Sequence, residues 1–404
     1  MAIVGNGSSL FQMHNDGAIL LYTGKVCNGN SCPGWLPLDN NSSTVAIVAG
    51  GHTLYQIHND GAVFEYTGRA CNGNSCPGWR LLDNNAATGM IAAGDTELYQ
   101  LHADPVYQLH DNGAIWRNIG LGWYKLDNNP ASVAIAAAGK ELFQLHRDGS
   151  VWRFTGTPCG DSCPGWQELD NRPATKTIAA AGKEMFQLRR DGSIWRYLGT
   201  PCTNTTCPGW QEVDANPAAT AIAAAGKQLF QLHKDGSIWR YLGTPCANRS
   251  CPGWEKLDNN AGATAIAATG KELFQLHRNG AIWRYLGTPC TNSACPGWEK
   301  LDNNAAATAI VATGKELFQL QKNGSILRYL GTPCTRSSCT GWQKLDNNSA
   351  SVAISAGGKE LFQLHKNGSI WHYLGTPCAA NSCPGWRQID KSTNAIHIEA
   401  GSLQ

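Results

Sequence analysis

The sequence predicts an all-β chain, a β-propeller of nine four-stranded antiparallel blades, on three observations. A Gly-Trp pair recurs with its tryptophans at Trp35, Trp79, Trp123, Trp166, Trp210, Trp254, Trp298, Trp342 and Trp386, spaced 44 apart apart from one step of 43. Each interval reads as four short strands separated by turn residues, and no window has helical periodicity. The cysteines fall in local pairs at one fixed place in the unit. A fixed period of this length marks a repeat architecture, and four antiparallel strands per unit make a propeller blade.

The fifth copy shows the unit in order. Residues 177–181 form an alanine-rich first strand, whose small side chains suit the crowded inner position near an axis. Residues 184–189 alternate around Phe186 and Leu188, and 193–198 are rich in β-branched and aromatic residues, which favours strands. Between these two lies Asp191-Gly192, and Asp-Gly or Asn-Gly recurs there in every copy, a hairpin-turn signal. The outermost strand begins at Trp210, after the cysteine loop. Asp-Asn-Asn or a close variant, such as Asp258-Asn259-Asn260, then links each unit to the next. This order puts the Gly turns and Asp-Asn-Asn links on one rim and the cysteine loops on the other. The repeats run at about 1–43, 44–87, 88–131, 132–175, 176–219, 220–263, 264–307, 308–351 and 352–393, within one expected domain of 1–404.

The cysteines pair as Cys27 with Cys32, Cys71 with Cys76, Cys159 with Cys163, Cys202 with Cys207, Cys246 with Cys251, Cys290 with Cys295, Cys334 with Cys339 and Cys378 with Cys383. One repeat lacks both and none has a single cysteine, as disulfides inside each loop require. Two thiolates per repeat, with no His at ligand spacing, cannot complete a tetrahedral zinc site. Disulfides point to a secreted or surface-exposed protein, while the chain passes from Met1 straight into repeat sequence, so an export signal is expected to have been removed or to be of another kind.

The third copy is irregular. It carries Leu98-Tyr99-Gln100-Leu101-His102 and then Val106-Tyr107-Gln108-Leu109-His110, and lacks the cysteine loop. Only the second run precedes a full turn, Asp111-Asn112-Gly113, so the first is expected to be displaced. Residues 2–5 and 394–401 both read as first strands, which gives ten candidates for nine places. The segment 394–404 is therefore expected to close the ring, by supplying the inner strand of the first blade.

With 32 Lys and Arg against 30 Asp and Glu, no basic face for nucleic acid is implied, and no apolar run is long enough to span a bilayer. No nucleophile elbow, phosphate loop or His-Glu-x-x-His occurs, and polar groups that recur nine times do not make one asymmetric catalytic centre. One carboxylate per Asp-Asn-Asn link is too few for a calcium cage, so neither metal nor cofactor is expected.

Asp-Gly-Ser-Ile-Trp-Arg-Tyr (191–197 and 235–241), followed by Gly-Trp and an alanine-rich strand, resembles the tectonin and tachylectin type of β-propeller lectin over the whole chain. The cysteine loop and the number of units depart from that pattern. The resemblance implies a carbohydrate-binding ring with several equivalent sites at or between blades. Sugars offer apolar faces to aromatic rings and hydroxyls to planar donors. The candidate set in the regular central copies is therefore Trp210, Trp254 and Trp298; Arg196, Arg240 and Arg284; His233 and His277; and the amides Asn259, Asn260, Asn303 and Asn304. Competing readings exist for each. The tryptophans would pack between blades, the Asp of each link would cap its own turn, and the arginines would pair with a carboxylate of the neighbouring blade. The His tolerates replacement, by Arg189 and Gln321, which excludes a general base common to all blades. The expected partner is a glycan or glycoconjugate. The alternative is a protein-interaction scaffold using one rim, with its variation in the cysteine loops.

Overall fold

A computed structural model describes residues 2–5, 9–25, 33–50, 53–84, 88–93, 98–102, 106–118, 123–138, 141–181, 184–203, 206–248, 250–270, 272–291, 294–335, 338–358, 360–380, 382–391 and 393–400. Among them every regular element is a strand, and the strands form nine four-stranded sheets and one two-stranded sheet. The nine blades expected from the period are thus present, each with its Trp-led strand outermost.

The chain divides into two compact units. One comprises Met1–Pro105 with the stretches Arg117–Tyr124 and Gly156–Pro158, and the other Val106–Trp116, Lys125–Thr155 and Cys159–Gln404. The first unit holds the first two sheets, beginning at Ala2–Gly5 and Thr44–Gly50, and the two-stranded sheet of Thr88–Ala93 with Leu98–His102. In the second unit the inner strands touch in order: Ser132–Ala138, Thr175–Ala181, Ala219–Ala225, Ala263–Ala268, Ala307–Thr313, Ser351–Gly357 and Ala395–Ala400, which returns to Ser132–Ala138. Seven inner strands therefore form a closed cycle.

The closing strand lies elsewhere than the sequence suggested. Ala2–Gly5 is itself the inner strand of the first sheet, paired with Leu10–Met13. Ala395–Ala400 instead pairs with Val106–His110 and completes the third sheet. The reason is the duplication. The displaced run Leu98–His102 takes up Thr88–Ala93, with a register shift at Leu101/His102. Val106–His110, with the same shift at Leu109/His110, is left without an inner strand until the C-terminal segment supplies one. The Asp111 N–H donating to the Asn394 carbonyl reproduces the link seen between repeats, as in Lys234 N–H to Ala218 O.

Burial follows from the pattern. Second strands are buried along nearly their whole length, because both faces meet neighbouring blades, and each core cluster joins two consecutive sheets. Phe186, Leu188, Ile194 and Val213 of the fifth sheet pack with Ala219 and Leu229 of the sixth. The hairpin turns are three-residue loops: His233 N–H bonds Ser237 O, Asp235 Oδ1 accepts the Ser237 N–H at 2.9 Å, and Gly236 sits at φ +84°. Gly is required here twice over, since a Cβ on Gly236 would also lie 2.3 Å from the Asn260 carbonyl oxygen of the link.

Seven disulfides close the cysteine loops from Cys71–Cys76 to Cys378–Cys383. The Cys27 and Cys32 pair lies outside the described residues. Each loop is also braced against the preceding sheet, as in Cys246 N–H to Glu212 O and Cys290 N–H to Lys256 O.

Candidate functional site

Third and outer strands run from the turn rim towards the disulfide loops, and the candidate residues separate along them. Ile282 faces Asp302 at the turn end, and Tyr285 faces Trp298 three residues later, roughly 10 Å away at strand rise.

At the turn end the groups are buried and engaged. Asp302, 5% exposed, accepts the Asn303 and Asn304 N–H groups on Oδ1 and the Gln319 amide, at 2.8 Å, on Oδ2. The link aspartate thus caps its own turn and also ties one blade to the next. Where the next inner strand begins with a hydroxyl, the Gln oxygen accepts it, as in Thr175 to Gln187 and Ser132 to Gln144, both at 2.6 Å. Where it begins with Ala219, Ala263 or Ala307, the Gln231, Gln275 and Gln319 oxygens have no partner.

His233 and His277, proposed as ligand donors, are only 5% and 6% exposed and stack on Trp239 and Trp283 at 5.7 and 5.8 Å. Burial pushes both imidazoles below their usual value against the opposing pull of Asp214 and Asp258. A sugar hydroxyl has no open route to them. The Asn pairs 259–260 and 303–304 are exposed on this same rim, with the Asn260 and Asn304 side-chain oxygens accepting the Gly262 and Ala306 N–H groups.

The Gly-Trp indoles staple adjacent blades at their outer strands. Trp210, Trp254 and Trp298 donate to the Leu169, Val213 and Leu257 carbonyls at 2.7, 2.7 and 2.8 Å, and each tilts against a tyrosine of its own sheet, at 5.3, 5.2 and 5.2 Å from Tyr197, Tyr241 and Tyr285.

The arginines do reach open space. Clefts of about 340 and 300 Å³ open between consecutive sheets. The larger is lined by Glu272, Phe274 and Arg284 of one sheet and by Glu316, Tyr329 and Leu330 of the next. Its neighbour repeats the set with Gln228, Phe230 and Arg240 against Glu272, Tyr285 and Leu286. The carboxylate partner differs from expectation, because it belongs to the same sheet and not to the neighbouring blade. Arg196 pairs with Glu184, Arg240 with Glu255, and Arg284 with both Glu272 and Glu299. The side chain that faces each arginine from the next blade is the tyrosine. The Tyr241, Tyr285 and Tyr329 hydroxyls have no hydrogen-bond partner, and burial pushes them up against the opposing effect of Arg196, Arg240 and Arg284.

Sequence reasoning missed the tyrosines, the strand-two glutamates and the leucine lip. The available signal was Tyr-Leu-Gly, recurring at 197–199, 241–243, 285–287, 329–331 and 373–375. A leucine kept in every such copy yet more than half exposed, as Leu286 (56%) and Leu330 (55%) are, has no core to fill.

The tectonin domain profile matches residues 100–322, more than half of the chain, and the protein belongs to that family. No curated protein matches it. Solved structures of similar shape include human WBSCR16 (11% identity, TM-score 0.49, covering 74% of this chain and 97% of that one). Prp20p from Saccharomyces cerevisiae is another (12%, TM-score 0.47, 71% and 86%). A chain of a nidogen/laminin complex is a third (12%, TM-score 0.37, 57% and 92%). No helix among the described residues is long and apolar enough to cross a membrane.

Proposed function

We propose that this is a secreted, non-catalytic carbohydrate-binding protein with several repeated sites in the clefts between blades. The observation that carries the reading is the repeated cleft itself, where a part-exposed guanidinium, a tyrosine ring and an exposed leucine border a space of about 340 Å³, open to solvent and of a size for one or two sugar rings. Arg196, Arg240 and Arg284 supply planar donors, and the tyrosines an aromatic edge. Trp210, Trp254 and Trp298 pack against Tyr197, Tyr241 and Tyr285, as Trp342 does against Tyr329. Single sites of this kind are weak, in the millimolar to tens-of-micromolar range, and gain avidity on surfaces that display many copies of the ligand.

A protein-interaction scaffold is the second reading. It is favoured by the cysteine loops, where copies diverge most (Gly160-Asp161-Ser162 against Ala247 to Ser250).

A glycan array separates the two. Wild-type protein is expected to bind a defined set of glycans, and Arg196→Ala/Arg240→Ala/Arg284→Ala/Arg328→Ala to weaken that binding strongly while melting as wild type does. Binding to no glycan, together with tight binding to a protein partner, contradicts the lectin reading.

A further inference from the structure

We infer that the inter-blade clefts select uncharged glycans and reject anionic ones, an inference that rests on the carbohydrate reading above. It comes from how the copies place their charges. Three positions surround the cleft guanidinium in the fourth to eighth sheets: the start of strand two, the Arg of strand three and the second residue of the outer strand. Where strand two begins with Glu184 or Glu316, the outer strand carries Gln211 or Gln343, and Arg196 and Arg328 pair with the strand-two carboxylate, Arg328 also donating to the Gln343 side-chain oxygen at 2.7 Å. Where strand two begins with Gln228, the outer strand carries Glu255, and Arg240 turns outward to it. The second sheet reverses the polarity, with Glu65 on strand three paired to Arg80 on the outer strand. The ninth keeps Glu360 beside His372, with Arg387 opposite.

In these sheets the carboxylate moves and the cation changes, but the pairing is kept; the fourth sheet differs, its Arg153 donating to the Gln167 side-chain oxygen at 2.9 Å. A site built for a carboxylate, sulfate or phosphate would leave its guanidinium bare for a bidentate contact. In the paired sheets that contact is already taken. The sheet with two carboxylates, Glu272 and Glu299 around Arg284, opens onto a cleft that Lys315 and the Arg328–Glu316 pair also border, so each of the two guanidinium groups there already has a carboxylate partner. An anion entering would displace a carboxylate or lie beside one. A neutral sugar has only to offer hydroxyls to the remaining guanidinium donors.

The test is a panel of neutral oligosaccharides and their sialylated, uronic-acid and sulfated counterparts, titrated against wild type, Glu255→Gln and Glu299→Gln, with melting curves to verify folding. Neutral members should bind, and their anionic counterparts on the order of tenfold or more weakly, the equivalent of about one charged hydrogen bond. Glu255→Gln strips Arg240 of its one carboxylate and should gain binding to anionic members, whereas Glu299→Gln leaves Arg284 with Glu272 and should not. Anionic glycans bound by wild type as tightly as neutral ones, or two variants that behave alike, would overturn the selectivity and leave the lectin reading standing. No binding to any member would overturn the lectin reading itself.

Discussion

The two ends of a blade use the same residue types to opposite effect. At the turn rim, Asp302 and Gln319 are each buried, and the aspartate's oxygens are filled by an amide and two backbone N–H groups. Some 10 Å along the same strands, Arg284 lies about one quarter exposed, the Tyr329 hydroxyl beside it is buried without a partner, and a leucine stands in solvent. A polar group that recurs in every repeat is therefore not by that fact a ligand contact. The turn-rim set holds blades together, and the cleft set is held open by them.

Breaking each end should give different failures. The largest effect is expected from Asp302→Ala, which strands the Gln319 amide and two backbone donors. It should lower unfolding free energy by roughly 2–4 kcal/mol in a denaturant melt and leave the intrinsic affinity of folded protein unchanged. Arg284→Ala should do the reverse. Its ion pairs are part-exposed and contribute no more than about 1 kcal/mol, so stability should barely move, while glycan binding at that cleft should weaken about tenfold.

Acid should find the turn rim. His58, His110, His146, His233, His277 and His365 are buried, and desolvation lowers each from the usual 6.5. The unfolded chain binds the proton more readily than the folded one. The contribution of these groups is thus complete above about pH 7 and is lost as pH falls from 6.5 through their lowered folded values. Melting temperature followed from pH 7.5 to 5 should fall, and His277→Gln, copying the Gln321 of the eighth sheet, should reduce the slope.

The smallest effect should be a gain. Ala263→Ser offers the orphaned Gln275 oxygen the hydroxyl that Ser132 gives Gln144, and should raise stability by about 0.5–1 kcal/mol in the same melt.

Much of the blade was legible because it is local chemistry. The Gly turns, the Asp-capped links, the four strands and the displacement of Leu98–His102 follow from residue types within a few positions of one another. The closing strand was not, because Tyr99-Gln100-Leu101-His102 and Tyr107-Gln108-Leu109-His110 are identical acceptors. Which one Ala395–Ala400 joins depends on which one Thr88–Ala93 has already occupied. The cleft was half legible. Arg240 and Arg284 stood out as recurring donors, but their partners come from strands that meet only in the folded sheet. The hidden regularity, a Gln at one position answered by a Glu at another, cannot be seen until both are known to flank one guanidinium.

The most direct test of repeated inter-blade sites is stoichiometry. Isothermal titration calorimetry with a short glycan identified on the array should return a value well above one per chain, falling as Arg196, Arg240, Arg284 and Arg328 are replaced by alanine in turn. A stoichiometry of one, unchanged across that series, would contradict the account.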